Sequence, residues 1–62
     1  MDYINATYRT KYRIDSRVIY TGDGYAKIGT VVGARSAYLR VQMDGEKSIG
    51  LYHPTWEMKA VE

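Results

Sequence analysis

The chain has no cysteine and no phenylalanine, and only one proline, one histidine and one tryptophan. Without cysteine no disulfide can staple the fold and no thiolate can hold zinc. Such a chain suits a reducing compartment, and a cytoplasmic location is the expectation. A lone histidine without clustered carboxylates makes no metal-binding pattern, so neither a metal nor another cofactor is expected. No apolar run reaches the length of a signal-peptide core or a membrane span, so no membrane partner is expected. Leucine is scarce as well, which argues against a leucine-built helical bundle. Sixty-two residues hold one domain, residues 1–62, and exclude a doubly wound nucleotide-binding sheet.

What the chain does contain is strand-forming. Seven tyrosines stand beside many β-branched residues. The formal net charge is only +2, but it is unevenly placed. Seven basic residues lie between Arg9 and Arg40, against Asp15 and Asp23. Beyond Val41, two lysines face Asp44, Glu46, Glu57 and Glu62. A basic stretch of this kind suits an anionic partner.

Glycine supplies the punctuation, at Gly22, Gly24, Gly29, Gly33, Gly45 and Gly50. Strict alternation from Tyr8 to Ile14 predicts a strand, with Arg9, Lys11 and Arg13 on one side. Arg17 to Tyr20 reads as a second strand, followed by a loop at Thr21–Tyr25. Lys27 to Gly33 is a third, in which Gly29 marks a bulge or a close backbone approach. Tyr38 to Met43 alternates with Leu39, Val41 and Met43 inward. Asp44-Gly45 predicts a tight two-residue hairpin turn, and Glu46 to Tyr52 returns with Ile49 and Leu51 inward. Pro54 cannot continue a central strand and suits the start of a one-turn helix. Met58 to Val61 closes the chain. The expected core is Val18, Tyr20, Ile28, Val31, Leu39, Val41, Ile49, Leu51, Met58 and Val61. The fold class is therefore all-β, a small sandwich or barrel of five or six short strands with one helical turn near Pro54.

This order of parts resembles an SH3-like barrel of the KOW type, found in transcription elongation factors and ribosomal proteins. Arg17-Val18-Ile19-Tyr20 looks like its first strand, and Ile28-Gly29-Thr30-Val31-Val32-Gly33 like its glycine-centred core. Leu39 to Gly45 looks like the strand into the hairpin. Ile49-Gly50-Leu51 with Met58 and Val61 looks like the closing pair. The resemblance covers residues 16–62 and leaves residues 1–15 as an N-terminal basic strand or extension. The type II plasmid dihydrofolate reductases are similar in barrel. Their Val-Gln-Ile-Tyr active-site stretch meets Ser48-Ile49-Gly50-Leu51-Tyr52 here, where only the tyrosine agrees, so the fold carries over and the activity does not.

No catalytic constellation stands out, and no enzymatic activity is expected. Cations interleaved with aromatics supply phosphate contacts and ring faces for stacking bases. On that ground Arg9, Lys11, Arg13, Arg17, Lys27, Arg35 and Arg40 are the candidate electrostatic contributors. Tyr8, Tyr12, Tyr25 and Tyr38 are the candidate stackers. The plainer alternative is a solvated basic face with tyrosine packed inward. Tyr52, His53 and Trp56, around Pro54, are candidates for protein interaction, or else Trp56 plugs one end of the barrel. The expected function is a small binding module, a monomer or weak oligomer, that takes nucleic acid or a ribonucleoprotein. The alternative is a protein-interaction module, for example a phage or mobile-element accessory protein that modulates a host protein.

Overall fold

The computed structural model of the chain describes residues 1–61. A helix, α1 (Asp2–Tyr8), precedes five strands: β1 (Arg17–Tyr20), β2 (Lys27–Arg35), β3 (Tyr38–Met43), β4 (Ile49–Tyr52) and β5 (Met58–Ala60). They form one open antiparallel sheet in the order β4-β3-β2-β1-β5. The all-β expectation holds for the sheet. Open edges at β4 and β5 replace the expected closure.

Alternation does its work best in β3, where Leu39, Val41 and Met43 are buried as expected. Val18, Val31 and Met58 complete the strand-borne core. Gly29 lies on this inner face, and the expected close approach is there. A Cβ at Gly29 would meet the Met43 sulfur at 2.8 Å and the Gln42 carbonyl oxygen at 2.9 Å. The irregularity in β2 falls later, where Val32 is the extra residue between the Val31↔Val41 and Gly33↔Arg40 pairs.

Four expectations need correction. First, the Tyr8–Ile14 strand is absent. Tyr8 ends α1, and Arg9 takes the left-handed conformation at φ 57°. The following chain pairs with a side chain instead of a strand. Asn5 Nδ2 donates to the Tyr12 carbonyl at 2.8 Å, and the Tyr12 amide donates to Asn5 Oδ1 at 2.8 Å. The Thr10 hydroxyl donates to the same oxygen. One amide side chain thus satisfies the groups a neighbouring strand would otherwise bond. A helix this short is marginal alone, and Ile4, buried in the core, anchors it.

Second, Ile49 and Leu51 point outward, 45% and 51% exposed, while Tyr52 packs against the core. The register of β4 is therefore shifted by one side chain from the expected face. Ile28 and Val61 are likewise exposed, and Tyr20 is only half-buried. Third, Asp44-Gly45 does form a turn, with the Glu46 amide donating to the Met43 carbonyl at 3.0 Å and Gly45 at φ 84°. Pairing resumes only at Gln42↔Ile49, so the connection runs from Asp44 to Ser48 and is longer than a two-residue hairpin. That longer connection sets the parity of β4.

Fourth, the helical turn near Pro54 is replaced by bends. His53 Nδ1 accepts the amides of Thr55 at 3.1 Å and Trp56 at 3.2 Å, and Glu57 turns the chain at φ 53°. The only helix among the described residues is α1.

Candidate functional site

The seven candidate cations divide into two groups. Arg17 makes a two-pronged pair with Asp44, Nη1 to Oδ1 at 3.0 Å and Nη2 to Oδ2 at 2.5 Å. Lys27 Nζ bridges Asp23 at 3.2 Å and Glu46 at 3.0 Å. The hydrogen bond from Arg17 holds the Asp44 carboxyl below the usual carboxylate range. Those with Glu46 and Asp23 push Lys27 up. Both cations are paired with carboxylates of the same chain, at the solvent-exposed surface. Arg9, Lys11, Arg13, Arg35 and Arg40 are exposed, and none is in an ion pair among the described residues.

Register explains the Arg17–Asp44 pair. Arg17 faces Thr30, and Thr30 faces Gln42, so Arg17 lies two strands from the β3–β4 connection that carries Asp44. It donates to the Thr30 hydroxyl on the way. The Arg17–Asp44 pair is not visible in the sequence, because its partners are 27 residues apart, whereas Lys27 and Asp23 are only four residues apart.

The candidate stackers also divide. Tyr12 is a core residue, 4% exposed, and its hydroxyl donates to the Pro54 carbonyl at 2.6 Å. Burial pushes its phenol up. It offers no ring face to a base, and the plainer reading of an inward tyrosine holds at this position. Tyr25 stands exposed in the Thr21–Tyr25 loop. Tyr8 and Tyr38 come together around His53. The Tyr8 and His53 rings are 5.0 Å apart and edge-on, and the Tyr38 and His53 rings 6.5 Å apart and edge-on. Arg35 is the cross-strand partner of Tyr38, and Arg40 follows on the same face of β3. Two aromatic candidates, two free arginines and the lone histidine thus share one surface at the β2–β3 hairpin.

Lys11, Arg13 and Arg17 line a separate open groove of about 480 Å³ with Ile14, Asp15 and Ser16. The Arg13 amide donates to Ser16 Oγ at 2.9 Å, and the Ser16 amide returns to the Arg13 carbonyl at 3.0 Å. This small closed turn fixes where Arg13 leaves the backbone.

Trp56 is 57% exposed and does not plug the sheet. Its ring lies 6.3 Å from Tyr20, which meets Tyr52 edge-on at 4.8 Å. Burial pushes the Tyr52 phenol up, opposed by nearby Lys27. Tyr52 and His53, adjacent in the chain, therefore serve different ring clusters. Sequence reasoning places Tyr20 in the core and misses Asn5, whose side chain sets the path of residues 10–12. No local signal marks either role.

No protein-family model, no curated protein and no solved structure matches the chain.

Proposed function

We propose that this chain is a small binding module for nucleic acid, free or within a ribonucleoprotein. The observation that carries the reading is the surface formed by Tyr8, His53 and Tyr38 beside the free arginines Arg35 and Arg40. Rings of this kind stack bases without regard to sequence, each worth roughly 1–3 kcal/mol, while arginines take the phosphates. Lys11 and Arg13 add positive charge in their separate groove. Arg17 and Lys27 contribute less than the unpaired cations, because Asp44, Asp23 and Glu46 compete for them in exposed ion pairs. The finer fold reading is an SH3-like barrel of the KOW type. The antiparallel pairing of β1 with both β2 and β5 supports it, as does the close backbone approach at Gly29.

The test is fluorescence anisotropy with a labelled single-stranded oligonucleotide across a salt series. Replacing Arg35 and Arg40 with Gln should weaken binding and flatten the salt dependence by roughly 1.4 in slope, because two phosphates of a single strand are then no longer neutralised. Tyr38→Ala should weaken binding without changing the slope. No binding at about 50 mM salt, where electrostatic association is strong, refutes the reading.

A second reading rests on a different observation. Ile28, Ile49 and Leu51 are exposed on the outer side of the sheet. They suit a protein-interaction module that docks on a host protein. A pull-down that survives nuclease treatment and is lost in Ile49→Asp favours it.

A further inference from the structure

One step beyond Leu39↔Tyr52, the last pair of β3 and β4, the two strands present Tyr38 and His53 to each other. Tyr38 in turn opposes Arg35 on β2, and Tyr8 closes on the imidazole from α1. Pro54, the next residue, is fully buried, and its carbonyl accepts the Tyr12 hydroxyl at 2.6 Å. His53 is therefore carried on backbone that is anchored on both sides.

Its ring is fixed as well. Nδ1 accepts the amides of Thr55 at 3.1 Å and Trp56 at 3.2 Å, and the Thr55 hydroxyl lies 3.3 Å from the same nitrogen. A ring nitrogen that accepts amides carries no proton, so the neutral imidazole holds its proton on Nε2. The two nitrogens face different sides of the ring, and Nε2–H points away from the bend that Nδ1 closes. Nε2 makes no hydrogen bond among the described residues, and among them no unpartnered side-chain nitrogen or oxygen is buried. This N–H is therefore open to solvent, as a donor of fixed direction between two tyrosine rings.

The surface is rich in donors. Arg35 and Arg40 offer only N–H groups, and Nε2–H adds a neutral one. A complementary ligand brings acceptors. The arginines suit its phosphates, where charge-assisted bonds are strongest. A base stacked on a tyrosine keeps its acceptors at the edge, which suits a neutral donor set beside the rings.

We propose that His53 reads a base on this surface, donating through Nε2–H to an acceptor on the edge of an unpaired base stacked on Tyr8 or Tyr38. The proposal rests on the nucleic-acid reading above and narrows its ligand to a single strand, because base pairing occupies the edge and stacking hides the face. One side chain then does two jobs at separate atoms: Nδ1 shapes the bend and Nε2 meets the ligand.

Asparagine and glutamine separate the two nitrogens. Asparagine keeps an acceptor near Nδ1 for amides two and three residues on, as it does in turns, and reaches nothing at Nε2. His53→Asn should keep the circular dichroism melt and weaken a labelled single-stranded oligonucleotide by roughly three- to tenfold, the worth of one neutral hydrogen bond. The salt slope should not change, since a neutral donor releases no counterion. A strand of the same length made of abasic nucleotides should bind both proteins equally. His53→Gln, which reaches the Nε2 position and lacks the near acceptor, should lower the melt and retain more of the binding than His53→Asn. Nitrogen NMR gives a readout that needs no variant, because the chain has a single histidine. The free protein should show the proton on Nε2, and the oligonucleotide should shift Nε2 and leave Nδ1 in place. Equal binding by wild type and His53→Asn overturns the proposal and leaves the nucleic-acid reading standing. An equal loss on the abasic strand overturns it too, by placing the donor on the backbone, as does a proton found on Nδ1 or an Nε2 signal unmoved at saturation. No oligonucleotide binding by the wild type at about 50 mM salt overturns both readings.

Discussion

Tyr12→Phe tests the packing argument most directly. The Tyr12 hydroxyl donates to the Pro54 carbonyl at 2.6 Å across a separation of 42 residues, with both groups buried. It is the polar bolt between the N-terminal segment and the bend before β5. Phenylalanine keeps the ring and removes only the donor. The loss is the net hydrogen bond plus the cost of a buried carbonyl left without a partner, together about 1–3 kcal/mol. A chain of this length has a total stability of roughly 3–9 kcal/mol. At about 4–8 °C per kcal/mol for a small domain, the melt should fall by on the order of 5–20 °C.

The same phenol gives a second, independent readout. Burial pushes its ionisation up in the folded state. The unfolded chain then releases the proton first, so between the two values it binds fewer protons than the native state, and stability falls as pH rises. The contribution is complete below about pH 10, the ordinary tyrosine value, and is lost above it. Chemical denaturation measured from neutral pH to alkaline pH should show a shallower alkaline decline in Tyr12→Phe, with Tyr52 supplying the remainder. A melt within about 1 °C of the parent, or an unchanged alkaline limb, refutes the reasoning. A loss of oligonucleotide binding at unchanged stability would return Tyr12 to the set of stacking residues.

Val41→Ala removes fully buried methyls and should cost about 2 kcal/mol or more, whereas Leu51→Ala, half exposed, should stay within about 0.5–1 kcal/mol in urea titration. Equal losses would put β4 back in the opposite register. Gly29→Ala should destabilise by roughly 1–3 kcal/mol, since the Gln42 carbonyl it would press on is backbone and cannot swing aside. Asp44 is held below the usual carboxylate range by Arg17, so its small contribution is present above about pH 4 and fades as pH falls through the lowered value. Asp44→Asn should remove that part of the acid limb, and because the pair is exposed the effect should shrink in high salt.

Much of the sheet is legible in the residues, for a local reason. In β3 each apolar residue is followed by a polar one, and period two leaves a single way to bury the set. Alternation alone misleads where the surroundings decide. In β4 the pattern Ile-Gly-Leu-Tyr offers two faces of similar bulk, and the length of the preceding connection decides between them. At Tyr8 to Ile14 the alternation is real on one side only, with Tyr12 buried and Ile14 exposed, because an asparagine side chain stands in for a neighbouring strand. The cations are legible as surface residues but not as free or engaged. Engagement of Arg17 with Asp44, and of Lys27 with Glu46, depends on which loop the register brings beside them.

The tyrosines tie composition to function. A phenylalanine is most stable when its whole ring is buried, whereas a tyrosine is comfortable with its hydroxyl in water and needs a partner when that end is covered. Tyr12 is the one tyrosine that is fully buried, and it is the one whose hydroxyl is bonded to a buried carbonyl. Tyr8, Tyr20 and Tyr52 are half-buried, with ring bodies packed against the core or against one another. Tyr3, Tyr25 and Tyr38 are exposed. A core built on phenylalanine would draw these rings inward and leave a polar surface without aromatic faces. Tyrosine in its place lets a 62-residue chain keep a small aliphatic core and still present aromatic area to a partner. Two chi angles make that area inexpensive in entropy to hold.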